Sequence, residues 1–144
     1  MPLTIDRIGV IGGGAWGTAL AQTLTLAGRS VVLWAREAET VADIATRHVN
    51  RAFLPGVALD PRLSATSDLK DCAAADAILL VSPAQHVRAV AQALAPHVRA
   101  DQPLVVCAKG VEQATGKLMG EVLAETVPDA APAVLSGPSF AADV

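Results

Sequence analysis

Short apolar runs alternate with longer helical stretches along almost the whole chain. The runs are rich in Val, Ile and Leu and lack alternating polar positions, which is typical of parallel strands that are buried on both faces. They predict strong strands at 8–11, 31–34, 77–81, 104–108 and 133–136, and a weaker strand at 63–66. A buried parallel sheet is therefore the expected framework of the fold.

The stretches between the runs carry apolar residues at helical spacing, as at Leu20 and Leu24. Helices are expected over 15–27, 37 to about 49, a short segment from 67, 84–94, and 115 to about 127. Gly28 is a good helix stop, and Pro96 ends the fourth helix. Strands joined by right-handed helical crossovers form a doubly wound sheet with helices on both faces. The predicted fold class is α/β, in one domain that spans residues 1–144.

Composition narrows the class of protein. With 144 residues, of which 52% are hydrophobic and 17% charged, the chain can bury a core and is not disordered. The net charge of −3 argues against broad nucleic-acid binding. No apolar run reaches the ~18 residues of a membrane span, and the N-terminus does not resemble a secretory signal. The cysteines and histidines lack metal-ligand spacing, so we predict no metal site, no disulfide and a cytoplasmic location.

A G-x-G-x-x-G motif ends the first strand and opens the first helix, which is the context in which this motif binds dinucleotides. Gly12 permits the tight turn, Gly14 lets the backbone approach a pyrophosphate, and Gly17 lets the helix pack on the strand. The amides of Ala15 and Trp16 then point at the phosphates from a helix N-terminus. This combination predicts a Rossmann-type, dinucleotide-binding domain; the alternative is a glycine-rich turn that binds nothing.

The residues after the second strand bear on the choice between NAD and NADP. NAD-binding proteins of this type usually place an acidic residue there to bind the adenosine ribose. Ala35 and Arg36 stand at that position, and an arginine suits the 2′-phosphate of NADP. Glu37 follows, and it reaches the ribose if the strand ends one residue later. We expect NADPH to be favoured and NAD to remain possible; the alternative is that Arg36 is a solvated surface charge.

Polar residues also follow the other strands, at the edge where doubly wound sheets bind ligands. Lys109 can offer a positive charge to a phosphate or to a carbonyl oxygen that gains negative charge. Alternatively, Lys109 is a solvated strand-end lysine or pairs with Glu112. The segment 136–141 is either a turn or a site for cofactor oxygens. Ser82 is a candidate N-cap, and His86 is either an acid–base residue or, more commonly, a surface histidine.

Five sequence blocks occur in an order that is specific to one family. They are IGGGAWGTAL at 11–20, VLWAR at 32–36, NRAFLPG at 50–56, AKGVE at 108–112 and SGPSFA at 136–141. Together they resemble the N-terminal domain of bacterial NAD(P)-dependent glycerol-3-phosphate dehydrogenase. The resemblance runs from about residue 6 to the last residue, and the NRAFLPG block separates this family from others with the same glycine motif.

The resemblance implies a reaction and a set of contacts. The family interconverts dihydroxyacetone phosphate and sn-glycerol 3-phosphate by hydride transfer, which feeds phospholipid synthesis. The implied cofactor contacts are the backbone of Ala15 and Trp16, the side chain of Arg36, Lys109 and Ala141. The implied substrate contacts are Lys109, Gly137 and Ser139.

The resemblance also implies parts of the enzyme that lie outside this sequence. The family's proton-transfer lysine belongs to a helical C-terminal substrate domain, so we expect no catalytic residue before Val144. We expect this chain to be a fragment that binds cofactor with little turnover, and the full-length enzyme to be a homodimer. Two alternatives remain: a stand-alone nucleotide-sensing module, and a related β-hydroxyacid-type dehydrogenase.

Overall fold

A computed structural model describes residues 4–136, 141 and 144. The described residues form six strands, which are β1 (Arg7–Ile11), β2 (Ser30–Trp34), β3 (Ser64–Thr66), β4 (Ala77–Leu80), β5 (Pro103–Val106) and β6 (Ala131–Val134). The strands form one sheet in the order β3-β2-β1-β4-β5-β6, and all neighbours are parallel. This order confirms the predicted doubly wound α/β fold.

Five α-helices lie in the described part of the chain. They are α1 (Ala15–Leu26), α2 (Ala38–Ala42), α3 (Leu69–Ala73), α4 (Val87–Leu94) and α5 (Met119–Thr126). A π-helical turn (Asp43–Arg47) extends α2, and 3₁₀ turns flank α4 (Ala84–His86 and Ala95–His97). Gly28 ends α1 as predicted, with a φ of 87° and an N–H that donates to the Thr25 carbonyl. None of the described helices has the length and apolar character needed to cross a membrane.

The core consists of two apolar layers, one on each face of the sheet. Successive residues of a strand point to opposite faces. Ile78 and Leu80 therefore pack on the side of α3, α4 and α5, whereas Leu79 packs on the side of α1. All three side chains are buried. Burial of both faces explains why the strand sequences show no polar alternation.

Close contact between α3 and the centre of the sheet depends on Gly9. A Cβ atom built on Gly9 would lie 2.6 Å from the backbone oxygen of Cys72, which is too close for any side chain. Gly9 thereby lets α3 lie directly on β1. The thiol of Cys72 is buried at this contact, and burial raises its pKa to about 12.

One predicted helix begins later than expected. The sequence pattern predicts a helix from Thr115 with Lys117 in its first turn, but α5 begins at Met119. Residues 111–118 instead form a turn, in which Gly116 adopts a left-handed φ of 71°. A residue with a left-handed φ interrupts a right-handed helix, so the helix does not extend back to Thr115.

Two smaller predictions also change. Ser82 is buried but does not cap the helix after β4, because the first 3₁₀ turn follows Pro83 and none of the described side chains caps it. β6 begins at Ala131, two residues earlier than predicted, and it lies at the edge of the sheet. An edge strand tolerates Pro132, which has no N–H to donate to a neighbouring strand.

Candidate functional site

An elongated groove lies at the carboxyl ends of the central strands, where the strand order reverses between β1 and β4. Its larger part, with a volume of about 660 Å³, runs from the glycine motif past the end of β2 and along α4. A second part of about 470 Å³ continues to the end of β5. The residues that line both parts are Ala15, Trp16, Val81, Ser82 and Pro83. The two parts are therefore continuous.

The glycine loop, which we define as residues 12–17, owes two of its glycines to contacts within the protein. Gly12 has a φ of 135°, and a Cβ atom there would lie 2.9 Å from the Val81 carbonyl carbon. A Cβ atom on Gly17 would lie 1.9 Å from the Gly12 oxygen. The tight turn and the close approach of α1 to the loop therefore require these two glycines.

Gly14 differs, because the described protein atoms give no reason for a glycine there. A Cβ atom on Gly14 would have no described neighbour within 4 Å, and its φ of −72° suits any residue. Gly14 is exposed and lines the groove. The N–H groups of Ala15 and Trp16, at the start of α1, have no acceptor within the helix, and none of the described side chains caps it. Open space beside uncapped helix amides fits a phosphate group.

A cation and an anion lie together at one end of the larger part of the groove. β2 ends at Trp34, so Arg36 follows the strand by two residues and Glu37 by three. Both side chains are exposed, and both line the groove. The Trp34 indole lines the same part and is fixed by donating its N–H to the Ser67 carbonyl at 3.1 Å. This end of the groove therefore combines an aromatic face with charged groups of both signs.

The lysine loop, which we define as residues 109–118, borders the second part of the groove. Lys109 is exposed and lines this part together with Ala141. Behind it, the buried Glu112 carboxylate accepts hydrogen bonds from the Arg88 guanidinium at 2.9 and 3.0 Å. These hydrogen bonds lower the pKa of Glu112. An ionised pair thus anchors the loop that carries Lys109 to the start of α4.

Two further side chains order the lysine loop, Gln85 from outside it and Thr115 from within it. The Gln85 amide donates to the Val111 carbonyl at 3.0 Å and accepts from the Gln113 N–H at 2.9 Å. The Thr115 hydroxyl donates to the Glu112 carboxylate at 2.6 Å. The lysine loop is therefore held by polar side chains rather than by close backbone packing.

The remaining sequence candidates fall in different places. Gly137 and Ser139 lie outside the described residues. His86 is exposed and lines the larger part of the groove, and Ser82 is buried at the junction of the two parts. Among the described residues, no group of His, Cys, Asp and Glu is arranged to hold a metal ion.

Sequence reasoning missed the role of one residue, Asn50. The residue is 1% exposed, and its amide donates to the Gly13 carbonyl, 37 positions earlier in the chain, at 2.9 Å. The sequence shows it only as a polar residue in the irregular segment 47–60. Its place in the NRAFLPG block marks a resemblance but indicates no contact, so no local signal revealed this role.

Residues 7–144 match the family described as NAD-dependent glycerol-3-phosphate dehydrogenase N-terminus. The chain is 63% identical over 140 residues to glycerol-3-phosphate dehydrogenase (NAD(P)+) of Paramagnetospirillum magneticum, covering 97% of this chain and 51% of that protein. It is 58% identical over 144 residues to the protein of the same name from Parvibaculum lavamentivorans, covering 100% of this chain and 43% of that protein. The chain thus spans about half the length of the curated relatives it matches.

The fold is also similar to a solved structure. The crystal structure of glycerol-3-phosphate dehydrogenase from Coxiella burnetii matches with a TM-score of 0.89 and 32% sequence identity. The match covers 99% of this chain and 43% of that chain. The likeness therefore extends over the whole sheet and its helices.

Proposed function

The chain belongs to the NAD-dependent glycerol-3-phosphate dehydrogenase family, as its N-terminal domain, and from that premise we propose that it binds NAD or NADP in the groove. The observation that carries the proposal is the open space at Gly14 beside the uncapped amides of Ala15 and Trp16. A pyrophosphate is the part of a dinucleotide that uses such a site. Membership of this family sets aside the sensing module and the related dehydrogenase considered from the sequence.

The two parts of the groove divide the dinucleotide between them in this proposal. Ala15 and Trp16 line both parts, so the pyrophosphate lies in the middle. The larger part, with Arg36, takes the adenosine half, and the second part, with Lys109 and Ala141, takes the nicotinamide half. Gly12 and Gly17 shape the loop beneath the phosphates, and Gly14 leaves open the space that the phosphates occupy.

We assign the reaction to the full-length protein, because this chain spans about half the length of its relatives. Bound NAD(P)H supplies the hydride that converts dihydroxyacetone phosphate to sn-glycerol 3-phosphate, the precursor for phospholipid synthesis. Lys109, Gly137 and Ser139 contact the substrate, and the Lys109 ammonium group stabilises negative charge on the carbonyl oxygen. A C-terminal helical domain supplies the proton, and the complete enzyme works in the cytoplasm as a homodimer.

Arg36 supports a preference for NADPH over NADH. Its guanidinium lies at the adenosine end of the groove and suits a 2′-phosphate, although Glu37 beside it favours a free ribose hydroxyl. Arg36→Ala is expected to weaken NADPH binding about tenfold and NADH binding less than about twofold. Glu37→Gln is the matched control and should not weaken NADPH binding. Equal or tighter binding of NADH by the natural chain would refute the preference.

The chain carries its own reporter for the binding experiment. Both of its tryptophans, Trp16 and Trp34, line the groove, and it contains no tyrosine. Titration with NADPH should therefore quench tryptophan emission saturably, with energy transfer to the reduced nicotinamide. Free tryptophan at the same absorbance controls for inner-filter loss. The proposal fails if no saturable quenching develops up to about 1 mM NADPH. The Kd would then exceed about 1 mM, which corresponds to a binding free energy weaker than about 4 kcal/mol.

A further inference from the structure

Asn50 is buried behind the glycine loop and uses its side-chain amide fully as a donor. Nδ2 donates to the Gly13 carbonyl at 2.9 Å and to the Thr18 hydroxyl at 2.8 Å. Oδ1 accepts from the Phe53 N–H at 3.1 Å. Because a carbonyl only accepts and an N–H only donates, these partners fix which end of the amide is nitrogen.

The bond to Gly13 sets the direction of the peptide between Gly13 and Gly14. This peptide is trans, so its C=O and N–H groups point in opposite directions. With the Gly13 oxygen turned toward Asn50, the Gly14 N–H is turned to the other side of the loop. Two consecutive glycines resist rotation of the intervening peptide least. Hydrogen bonds from outside the loop therefore fix this orientation: the one from Asn50 is the shorter, and the Thr18 hydroxyl donates to the same oxygen at 3.5 Å.

Thr18 connects the hydrogen bonds of Asn50 to α1. Its N–H donates to the Gly14 carbonyl at 3.0 Å, and its buried hydroxyl accepts from Asn50. One amide therefore fixes both the loop and the first turn of the helix, where Ala15 and Trp16 present their N–H groups. Since Asn50 and Thr18 are both buried, water does not replace these bonds when they are broken.

Asn50 is itself held in place by the turn that it begins. Its carbonyl accepts from the Leu54 N–H at 2.9 Å, while its Oδ1 closes onto the Phe53 N–H. The neighbouring Arg51 guanidinium donates to Asp43 at 2.7 and 2.9 Å, which ties the turn to the π-helical turn after α2. The amide thus reaches the glycine loop from an anchored backbone.

We infer that Asn50 is a positioning residue: it orients the Gly13–Gly14 peptide and the first turn of α1 so that their N–H groups face the pyrophosphate. The inference rests on the proposed function, since it places a dinucleotide at the glycine loop. Asparagine is needed for this role, because aspartate has no N–H to donate and would put a carboxylate oxygen against the Gly13 oxygen.

The chain offers a matched control in Gln102. This residue is 3% exposed, and its amide donates to the Ala73 and Ala75 carbonyls at 3.0 and 2.8 Å and accepts from the Arg99 N–H at 3.0 Å. Its bonding pattern matches that of Asn50, but it precedes β5 and lies at the amino end of the sheet. Gln102→Glu therefore removes a comparable set of buried bonds far from the groove.

The test compares the natural chain with Asn50→Asp and Gln102→Glu. NADPH affinity is measured by tryptophan quenching, stability by thermal melting, and loop order by amide hydrogen exchange without ligand. Asn50→Asp is expected to raise the Kd about tenfold, because the N–H groups of the loop would no longer be held in the direction of the pyrophosphate. It should also speed exchange at Gly14, Ala15 and Trp16. Gln102→Glu should lower the melting temperature but leave the Kd within about twofold.

Each outcome decides between a positioning role and a merely structural one. If Asn50→Asp does not fold, Thr18→Val removes one partner of the amide and should raise the Kd about threefold. An unchanged Kd with unchanged loop exchange, or equal Kd increases in the Asn50 and Gln102 variants, would overturn the inference. Failure of the natural chain to bind NADPH would instead overturn the proposed function, and amide exchange would still decide whether Asn50 orders the loop.

Discussion

The glycine loop and the lysine loop border the same groove, but different forces hold them in place. The glycine loop is fixed by close backbone packing at Gly17 and by buried, uncharged hydrogen bonds from Asn50. The lysine loop is fixed by partly exposed polar side chains, with the Arg88–Glu112 ion pair at the centre. The first loop should therefore respond to added volume, and the second to changes in charge.

Gly17→Ala is the strongest way to test the steric half of this comparison. The added Cβ atom would lie 1.9 Å from the Gly12 oxygen, a backbone atom that cannot turn aside as the end of a flexible side chain could. We expect a loss of about 3 kcal/mol or more in the free energy of unfolding, measured by urea denaturation. Gly14→Ala is the control: it should cost less than about 1 kcal/mol yet weaken NADPH binding. Similar stability losses in both variants would contradict the steric account.

A pair of isosteric threonine variants compares the loops directly. Thr18→Val leaves a buried Asn50 N–H without its acceptor and should cost about 1–3 kcal/mol. Thr115→Val removes a more exposed hydroxyl from Glu112, which keeps its Arg88 partner, and should cost less than about 1 kcal/mol. Chemical denaturation of both variants measures the difference. A larger loss at Thr115 would reverse the comparison.

Acid should act on the lysine loop through Glu112. Hydrogen bonds from Arg88 and Thr115 hold the pKa of Glu112 below its ordinary value of 4.5. The lower folded pKa means that the ionised pair stabilises the fold above the unfolded pKa, and that this contribution is lost as the pH falls through the folded pKa. We expect the melting temperature to be flat above about pH 5 and to fall below about pH 4.

Glu112→Gln separates this contribution from those of other carboxylates. The glutamine does not ionise, so the variant should melt a few degrees lower near neutral pH and show a shallower fall in acid. Asp60 supplies a comparison outside both loops, because hydrogen bonds from Arg62 lower its pKa to about 2. Asp60→Asn should therefore flatten the profile at lower pH than Glu112→Gln does. A profile that Glu112→Gln leaves unchanged would show that the ion pair does not stabilise the fold.

High salt should change amide hydrogen exchange only in the lysine loop, and this is the smallest of the expected effects. At about 1 M ionic strength the Debye length is about 3 Å, so a partly exposed ion pair such as Lys117–Glu125, which joins the lysine loop to α5, is screened. Amide hydrogen exchange should quicken modestly in residues 111–118 and remain the same in 12–17, where the anchoring bonds are buried and uncharged. Equal changes in the two loops would show that charge does not distinguish them.

The two loops also differ in how far the sequence predicts them. The glycine motif predicts its turn because two of its constraints, the φ of Gly12 and the contact between Gly17 and the Gly12 oxygen, arise within six consecutive residues. The apolar runs likewise predict the sheet, since successive apolar residues in each run point to both faces and indicate that both are buried. The end of β5 predicts where Lys109 lies, but the residues that hold its loop are Gln85, in the 3₁₀ turn before α4, and Arg88, in the first turn of α4, 24 to 28 positions earlier.

Contacts over such distances leave no periodic or spacing signal. Asn50 is the clearest example, because its partners lie 32 and 37 positions away and its own segment has no regular pattern. The sequence also predicts the start of α5 wrongly, for a local reason. Apolar spacing continues back to Leu118, whereas the left-handed φ of Gly116 depends on the turn that returns the chain to Glu112. Tertiary contacts decide the first case, and a local turn that apolar spacing does not reveal decides the second.

Burial of the two cysteines makes the protein easy to attach to a surface in one orientation. Burial raises the pKa of Cys72 to about 12 and that of Cys107 to about 11, so both thiols resist alkylation at neutral pH. Ala100 is exposed in the turn before β5, at the amino end of the sheet. A cysteine introduced there would be the preferred target of a maleimide linker. A sensor chip coupled in this way would present every molecule with its groove toward the flowing solution.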